Sequence, residues 1–204
     1  MPRTIIAIQA PLGADLTPAL PYLERAGTVE FRWPSVAYVD AGPTATTKRL
    51  HRKLVLIRAT LQSLLHVSVR LGAGSSKLIS LIAVRQSAPG GLTVVPLGGE
   101  TRFLDRVVIE LLPGIGRRTA AYLRNRGVAT IGTFGRLPQT AAVQLFGVSG
   151  IILREFSRGA DPREVIPTAT KHRPLSGRRS LFSLFSPPPN YRSTLGVATG
   201  ANSP

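Results

Sequence analysis

The run Leu112-Pro113-Gly114-Ile115-Gly116-Arg117-Arg118-Thr119-Ala120 constrains this chain more than any other stretch. Upstream, Phe103, Val107, Val108, Leu111 and Leu112 recur at helical spacing; downstream, Ala120, Ala121 and Leu123 continue the pattern until Gly127. The segment therefore predicts two helices joined by a tight Pro-Gly-x-Gly turn. Two glycines let the backbone approach an oxygen closely, and the first turn of the next helix leaves N–H groups without intrahelical partners. Those donors and the helix dipole favour an anion such as phosphate. A bare Gly-x-Gly corner can also join two helices and bind nothing, so its charge context matters.

That context is basic. The chain has 26 Lys and Arg against 10 Asp and Glu, a formal charge of +16 with a pI near 11.7. No acidic residue falls between Asp40 and Glu100, whereas Lys48, Arg49, Arg52, Lys53, Arg58, Arg70, Lys77 and Arg85 all do. Such an excess points to a polyanion partner or an anionic membrane surface, phosphate being the commonest counter-charge, or else to a merely soluble basic surface. At 204 residues with 43% apolar content, the chain can bury one ordinary core or two small ones. With no cysteine there are no disulfides, thiolate metal sites or cysteine nucleophiles, as in a reducing compartment. No apolar run is long enough to span a bilayer and no secretory leader is evident. A cytoplasmic protein without membrane contact is the expectation.

Strand and helix signals alternate as far as residue 98. Thr4 to Ile8 is a short apolar stretch, Thr17 to Ala26 a helix, Val29 to Trp33 and Val36 to Val39 two strands. Leu50, Leu54, Ile57, Leu61 and Leu64 form the apolar stripe of a long basic helix. A strand over Val67–Leu71 should run into a Gly72-Ala73-Gly74-Ser75-Ser76 turn, where a serine caps the helix carrying Leu78, Ile79, Leu81 and Ile82. Leu92 to Val95 is a further strand. Beyond it lie the two helices of the hairpin, a short turn near Phe134, and helices from Gln139 to Phe146 and Ser149 to Arg158, closed by Gly159. The expected architecture is α/β followed by all-α: an α/β sheet layer over residues 1–98, a small helical domain over 99–162, and a linker or disordered tail over 163–204 rich in Pro, Ser, Arg and Gly.

In order, these pieces resemble a Y-family DNA polymerase of the DinB/UmuC type, the translesion enzymes. The resemblance rests on Gly91-Leu92-Thr93-Val94-Val95-Pro96, Phe103-Leu104, Leu112-Pro113-Gly114-Ile115-Gly116, Gly127-Val128-Ala129-Thr130-Ile131-Gly132, Phe146-Gly147-Val148-Ser149-Gly150 and Arg158-Gly159-Ala160-Asp161-Pro162-Arg163. It covers roughly residues 17 to 165 and implies the end of a palm and a whole thumb. In that family the thumb's helix-hairpin-helix grips the backbone of the primer-template duplex.

Two departures bear on chemistry. The family's Ser-x-Asp-Glu-Ala-Tyr-Leu-Asp type motif supplies adjacent carboxylates that hold two Mg²⁺ ions. The matching stretch here is Trp33-Pro34-Ser35-Val36-Ala37-Tyr38-Val39-Asp40, so Ser35 and Val36 replace that pair and Asp40 matches only the terminal, structural aspartate. Two-metal catalysis needs anionic oxygens that serine and valine lack. The family's other metal-binding aspartate lies on its first strand, followed by fingers that cover the nucleotide; here no acid precedes Asp15 and the second strand follows too soon for fingers. In place of the triphosphate lysine of an Ala-Lys-Pro-x-Gly turn stands Ala88, within Ser87-Ala88-Pro89-Gly90-Gly91. A little finger, begun at most around Leu175 to Leu195, would be incomplete. The pattern resembles the catalytically degenerate, ImuB-like branch, and also a truncated copy.

Apart from the family, no two of the ten carboxylates are adjacent, and His51, His66 and His172 are dispersed, so neither a carboxylate pair nor a metal site is expected. Gly72 to Lys77 looks like a phosphate cradle but lacks Walker A spacing. The resemblance makes Lys77 a phosphate-facing candidate. The DNA-binding residues expected are thus Gly114, Gly116, Arg117, Arg118, Thr119, Arg124 and Lys77, with no catalytic residue, metal or cofactor. Few aromatics (6%) favour backbone gripping over single-strand stacking. The expected role is non-sequence-specific binding of duplex or primer-template DNA in repair or translesion synthesis, without turnover. The alternative is an interaction module docking on a polymerase or a sliding-clamp-associated partner.

Overall fold

The computed structural model describes residues 3–32, 35–43 and 47–168. Five strands, β1 (Ile5–Gln9), β2 (Thr28–Arg32), β3 (Val36–Asp40), β4 (Arg70–Gly74) and β5 (Leu92–Val94), form one mixed sheet of order β2-β3-β1-β4-β5. Only the β4–β5 pairing is parallel. A 3₁₀ turn at Thr17–Ala19 leads into α1 (Leu20–Glu24), with Pro21 in the first turn where no intrahelical N–H is needed. Then come α2 (Thr47–Leu65) and α3 (Lys77–Gln86), followed by an all-helical region: α4 (Glu100–Leu104), α5 (Arg117–Arg124), α6 (Ile131–Gly135), α7 (Gln139–Phe146) and α8 (Ser149–Ser157). The α/β-plus-α reading of the sequence is the observed fold class.

Alternation along the strands divides the core. Ile6, Ile8, Ala37, Val39, Leu71 and Ala73 point to one face and pack on α1 and on Leu50, Leu54, Ile57 and Leu61 of α2. Leu64 leaves the predicted stripe at 47% exposure, and Leu65 takes the inward position in the last turn. Ile5, Ala7 and Tyr38 point to the other face and meet Leu81 and Val84 of α3. The far side of α3, Leu78, Ile79, Ile82 and Ala83, belongs to the core of the helical region with Leu104, Leu112, Leu123, Phe134 and Phe156. Residues 77 to 84 are all buried because this helix has sheet on one side and helices on the other.

Four expectations are corrected. His66 takes a left-handed φ of 51° just after α2, and β4 starts at Arg70 rather than Val67. Gly72 and Gly74, read as a turn, lie within that strand: a Cβ on Gly72 would overlap the Ser80 carbonyl and the Val84 amide, so glycine is what lets α3 sit so close. The helix expected before the hairpin is short; after α4 the chain turns and forms only a 3₁₀ turn at Ile109–Leu111, pinned by a bridge between Val108 and Thr130. Finally, residues 163–168 are not linker. Val165 is buried, the Ile166 amide donates to Glu30 at 2.9 Å, and Thr168 bonds the outer edge of β2 through Val29 and Phe31. Trp33, Pro34 and the rest of the predicted tail, with the little-finger stretch at 175–195, lie outside the described residues. No helix among the described residues is long and apolar enough to cross a membrane.

Candidate nucleic-acid interface

Leu112, Ile115, Ala120 and Leu123 are buried in the helical core and anchor the hairpin on both sides. Within the turn, the Ile115 amide donates to the Leu112 carbonyl at 3.0 Å. Gly114 has φ 96°, in the left-handed region, and any Cβ would stand 3.0 Å from a Leu153 methyl. Gly116 caps α5 with an extended backbone, and the first intrahelical bond runs from the Ala120 amide to the Gly116 carbonyl at 2.8 Å. The amides of Arg117, Arg118 and Thr119 thus start the helix without intrahelical acceptors. Gly116, Arg117 and Arg118 are exposed, Thr119 is half-buried, and the first turn of α5 carries no acid.

The other two candidates sit differently. Arg124 lies one face round α5, ion-paired with Glu110 of the 3₁₀ turn, so part of its charge is already met. Lys77 is a correction: its side chain is 3% exposed and its ammonium donates to Glu30 at 2.5 Å and to the Glu164 carbonyl at 3.2 Å, 5.1 Å from the centre of the Tyr38 ring. Burial pushes the Lys77 pKa down, opposed by Glu30. It braces the interior and faces no surface groove. The cradle at Gly72 to Lys77 fails with it. Ser76 caps α3, as its position suggested, through the Ile79 amide, and the Leu78 amide is taken by the Asp161 carboxylate at 2.8 Å. A carboxylate of the chain itself thus fills the anion position.

Sequence reasoning passed over Tyr122 and Arg126. The Arg126 guanidinium, in the turn after α5, stacks 3.6 Å over the exposed Tyr122 ring and adds a cation beside the end of that helix. Their i, i+4 spacing across the end of a predicted helix was the available signal.

The positions matching the family's carboxylate pair lie at one end of the sheet. Val36 pairs with Gln9, Gln9 pairs with Arg70, and the Ser35 carbonyl accepts from the Ala10 amide at 2.9 Å. Among the described residues no three His, Cys, Asp or Glu side chains come together. Asp40 lies at the far end of β3, accepting from the Gly42 amide at 2.9 Å and paired with Arg3. Hydroxyl, valine, amide and guanidinium are the wrong donor set for Mg²⁺, which is held through carboxylates.

No protein-family model matches the chain. It is 32% identical over 116 residues to a DNA polymerase IV of Dehalococcoides mccartyi, covering 56% of this chain and 30% of that protein. It is 28% identical over 130 residues to the DNA polymerase IV of Streptomyces coelicolor, covering 63% and 27%. Among solved structures, DinB from Sulfolobus solfataricus superposes with a TM-score of 0.65 at 19% identity, over 71% of this chain and 44% of that one. A post-insertion binary complex of Dbh DNA polymerase gives 0.69 at 13% identity, over 79% and 69%. The fold is that of the palm and thumb region of DinB-type polymerases. In sequence the chain is similar to DNA polymerase IV proteins and in fold to DinB-type polymerases, and it spans about three tenths of the length of the curated relatives it matches.

Proposed function

We propose that this chain grips the sugar-phosphate backbone of duplex or primer-template DNA through Gly114, Gly116, Arg117, Arg118 and Thr119, without reading sequence and without transferring nucleotides. The observation that carries the reading is the start of α5: three amides without helical acceptors, flanked by two exposed arginines and no acid. The polymerase relatives support a setting in DNA repair or translesion synthesis, with the chain acting as a non-catalytic, ImuB-like accessory. The partition into a palm-like part up to residue 98 and a thumb over 99–162 belongs to the same reading. Ser35 and Val36 in place of the carboxylates support the absence of turnover.

Fluorescence anisotropy with a labelled primer-template duplex across a salt series tests it. Log affinity should fall linearly with log salt, and Arg117→Ala/Arg118→Ala should flatten the slope by roughly two, near one per lost phosphate contact. A slope unchanged in the folded variant refutes the hairpin assignment, and salt-insensitive docking on a polymerase instead supports an interaction module. Primer extension above a no-protein control with Mg²⁺ or Mn²⁺ overturns the non-catalytic assignment.

A further inference from the structure

The end of the sheet that cannot hold a divalent cation has the opposite chemistry built into it. Val36, Gln9 and Arg70 stand side by side across β3, β1 and β4, and directly paired residues project to one face. The next row inward on that face, Tyr38, Ala7 and Gly72, is buried under α3. Gln9, Val36, Arg70 and neighbouring Ser35 are half-exposed, so this row opens to solvent at the rim.

The Arg70 guanidinium has five N–H donors. One reaches the Gln9 amide oxygen at 3.0 Å, which fixes the side chain along the row. No carboxylate among the described residues pairs with it. A second guanidinium, Arg85 of α3, reaches the Leu111 carbonyl at 3.5 Å. Leu111 immediately precedes the hairpin turn, so the hairpin leaves the helical region on the same side of the sheet as Arg70.

Two carboxylates can hold a phosphate only with a metal ion between, because both are anions. A guanidinium pairs with phosphate directly, through two parallel N–H bonds. We propose that Gln9 and Arg70 form a phosphate-binding site at the rim of the sheet that takes a backbone phosphate of nucleic acid with no divalent ion between them. The site extends the DNA-binding reading above, and its test separates the two.

The full chain is titrated against the labelled duplex in EDTA and in Mg²⁺, beside Arg70→Gln, Arg70→Lys and Arg117→Ala/Arg118→Ala. Arg70→Gln should weaken binding on the order of tenfold, the worth of one charged hydrogen-bonded contact, and flatten the salt slope by roughly one. Arg70→Lys should keep the slope and lose part of the affinity. EDTA should not weaken binding. Should Arg70→Gln fail to fold, the wild-type chain still decides: the duplex should protect Arg70 from an arginine-directed dicarbonyl reagent, followed by peptide mass spectrometry. Unchanged affinity in folded Arg70→Gln, unprotected Arg70, or binding that requires Mg²⁺ each overturns the site. Loss in the hairpin variant alone refutes this site and leaves the hairpin reading standing; loss in Arg70→Gln alone does the reverse.

Discussion

Replacing Glu30 by glutamine removes the carboxylate from a buried ammonium. The Glu30 and Lys77 side chains are 6% and 3% exposed, with Nζ 2.5 Å from Oε2. Without Glu30, Lys77 keeps a carbonyl at 3.2 Å and the Tyr38 ring, neither carrying a full charge. Breaking a buried pair from one side costs about 3–5 kcal/mol, a large share of a typical domain's stability. The Arg32 contact at 2.6 Å is also lost, but Arg32 is 38% exposed and water replaces the carboxylate there. Lys77→Met is milder, about 1–2 kcal/mol, because Glu30 retains Arg32 and the Ile166 amide. The double variant Glu30→Gln/Lys77→Met should be more stable than Glu30→Gln alone. Urea unfolding of the four proteins at neutral pH measures this, with duplex binding measured on the same samples. A cost below about 1 kcal/mol for Glu30→Gln refutes the uncompensated-charge argument. A flatter salt slope in folded Lys77→Met refutes the structural assignment of Lys77 and restores it as a phosphate contact.

Burial pushes the Tyr38 hydroxyl up to about 12 from its ordinary 10. The folded state keeps a proton that the unfolded state gives up, so stability is unaffected below pH 10 and falls as pH rises towards 12, by up to about 2–3 kcal/mol. Urea midpoints at pH 9 and 11 should diverge in wild type and converge in Tyr38→Phe. Gly72→Ala should lower stability by about 2–3 kcal/mol in thermal melts by lifting α3 from β4. Gly116→Ala meets open space at an ordinary φ of −84°, so it should cost under about 1 kcal/mol while weakening duplex binding through the added methyl. Ser76→Ala should cost about 1 kcal/mol through loss of the α3 cap.

Where one residue's neighbours in sequence are also its neighbours in space, the reading from sequence held. The α2 stripe as far as Leu61, the Ser76 cap and the β3 strand are of this kind, set by periodicity and by a side chain's reach to its own backbone. Errors came where a distant element decided. Gly72 and Gly74 read as a turn because glycine usually marks one; in the fold they make room for α3. Lys77 read as a phosphate lysine because nothing local shows that Glu30, 47 residues earlier, lies across the sheet from it. Residues 163–168 read as linker by composition, yet they close over β2 and the start of α3 through Glu164, Ile166 and Thr168.

The same separation between local and distant constraint bears on function. Leu112, Ile115, Ala120 and Leu123 hold the hairpin in the core they share with α3, so its shape follows from packing alone. Ser35 and Val36 sit half-exposed at the rim of the sheet, where exchanging carboxylates for neutral side chains opens no cavity in a core and removes mutual repulsion. The rim of the sheet and the hairpin proposed to grip a backbone are therefore constrained separately. Packing does not require arginine at 117 or 118, both exposed, and the acceptor that Arg70 reaches among the described residues is a neutral amide. Among the described residues no carboxylate pairs with these guanidiniums, and in the function proposed above an external polyanion takes that place.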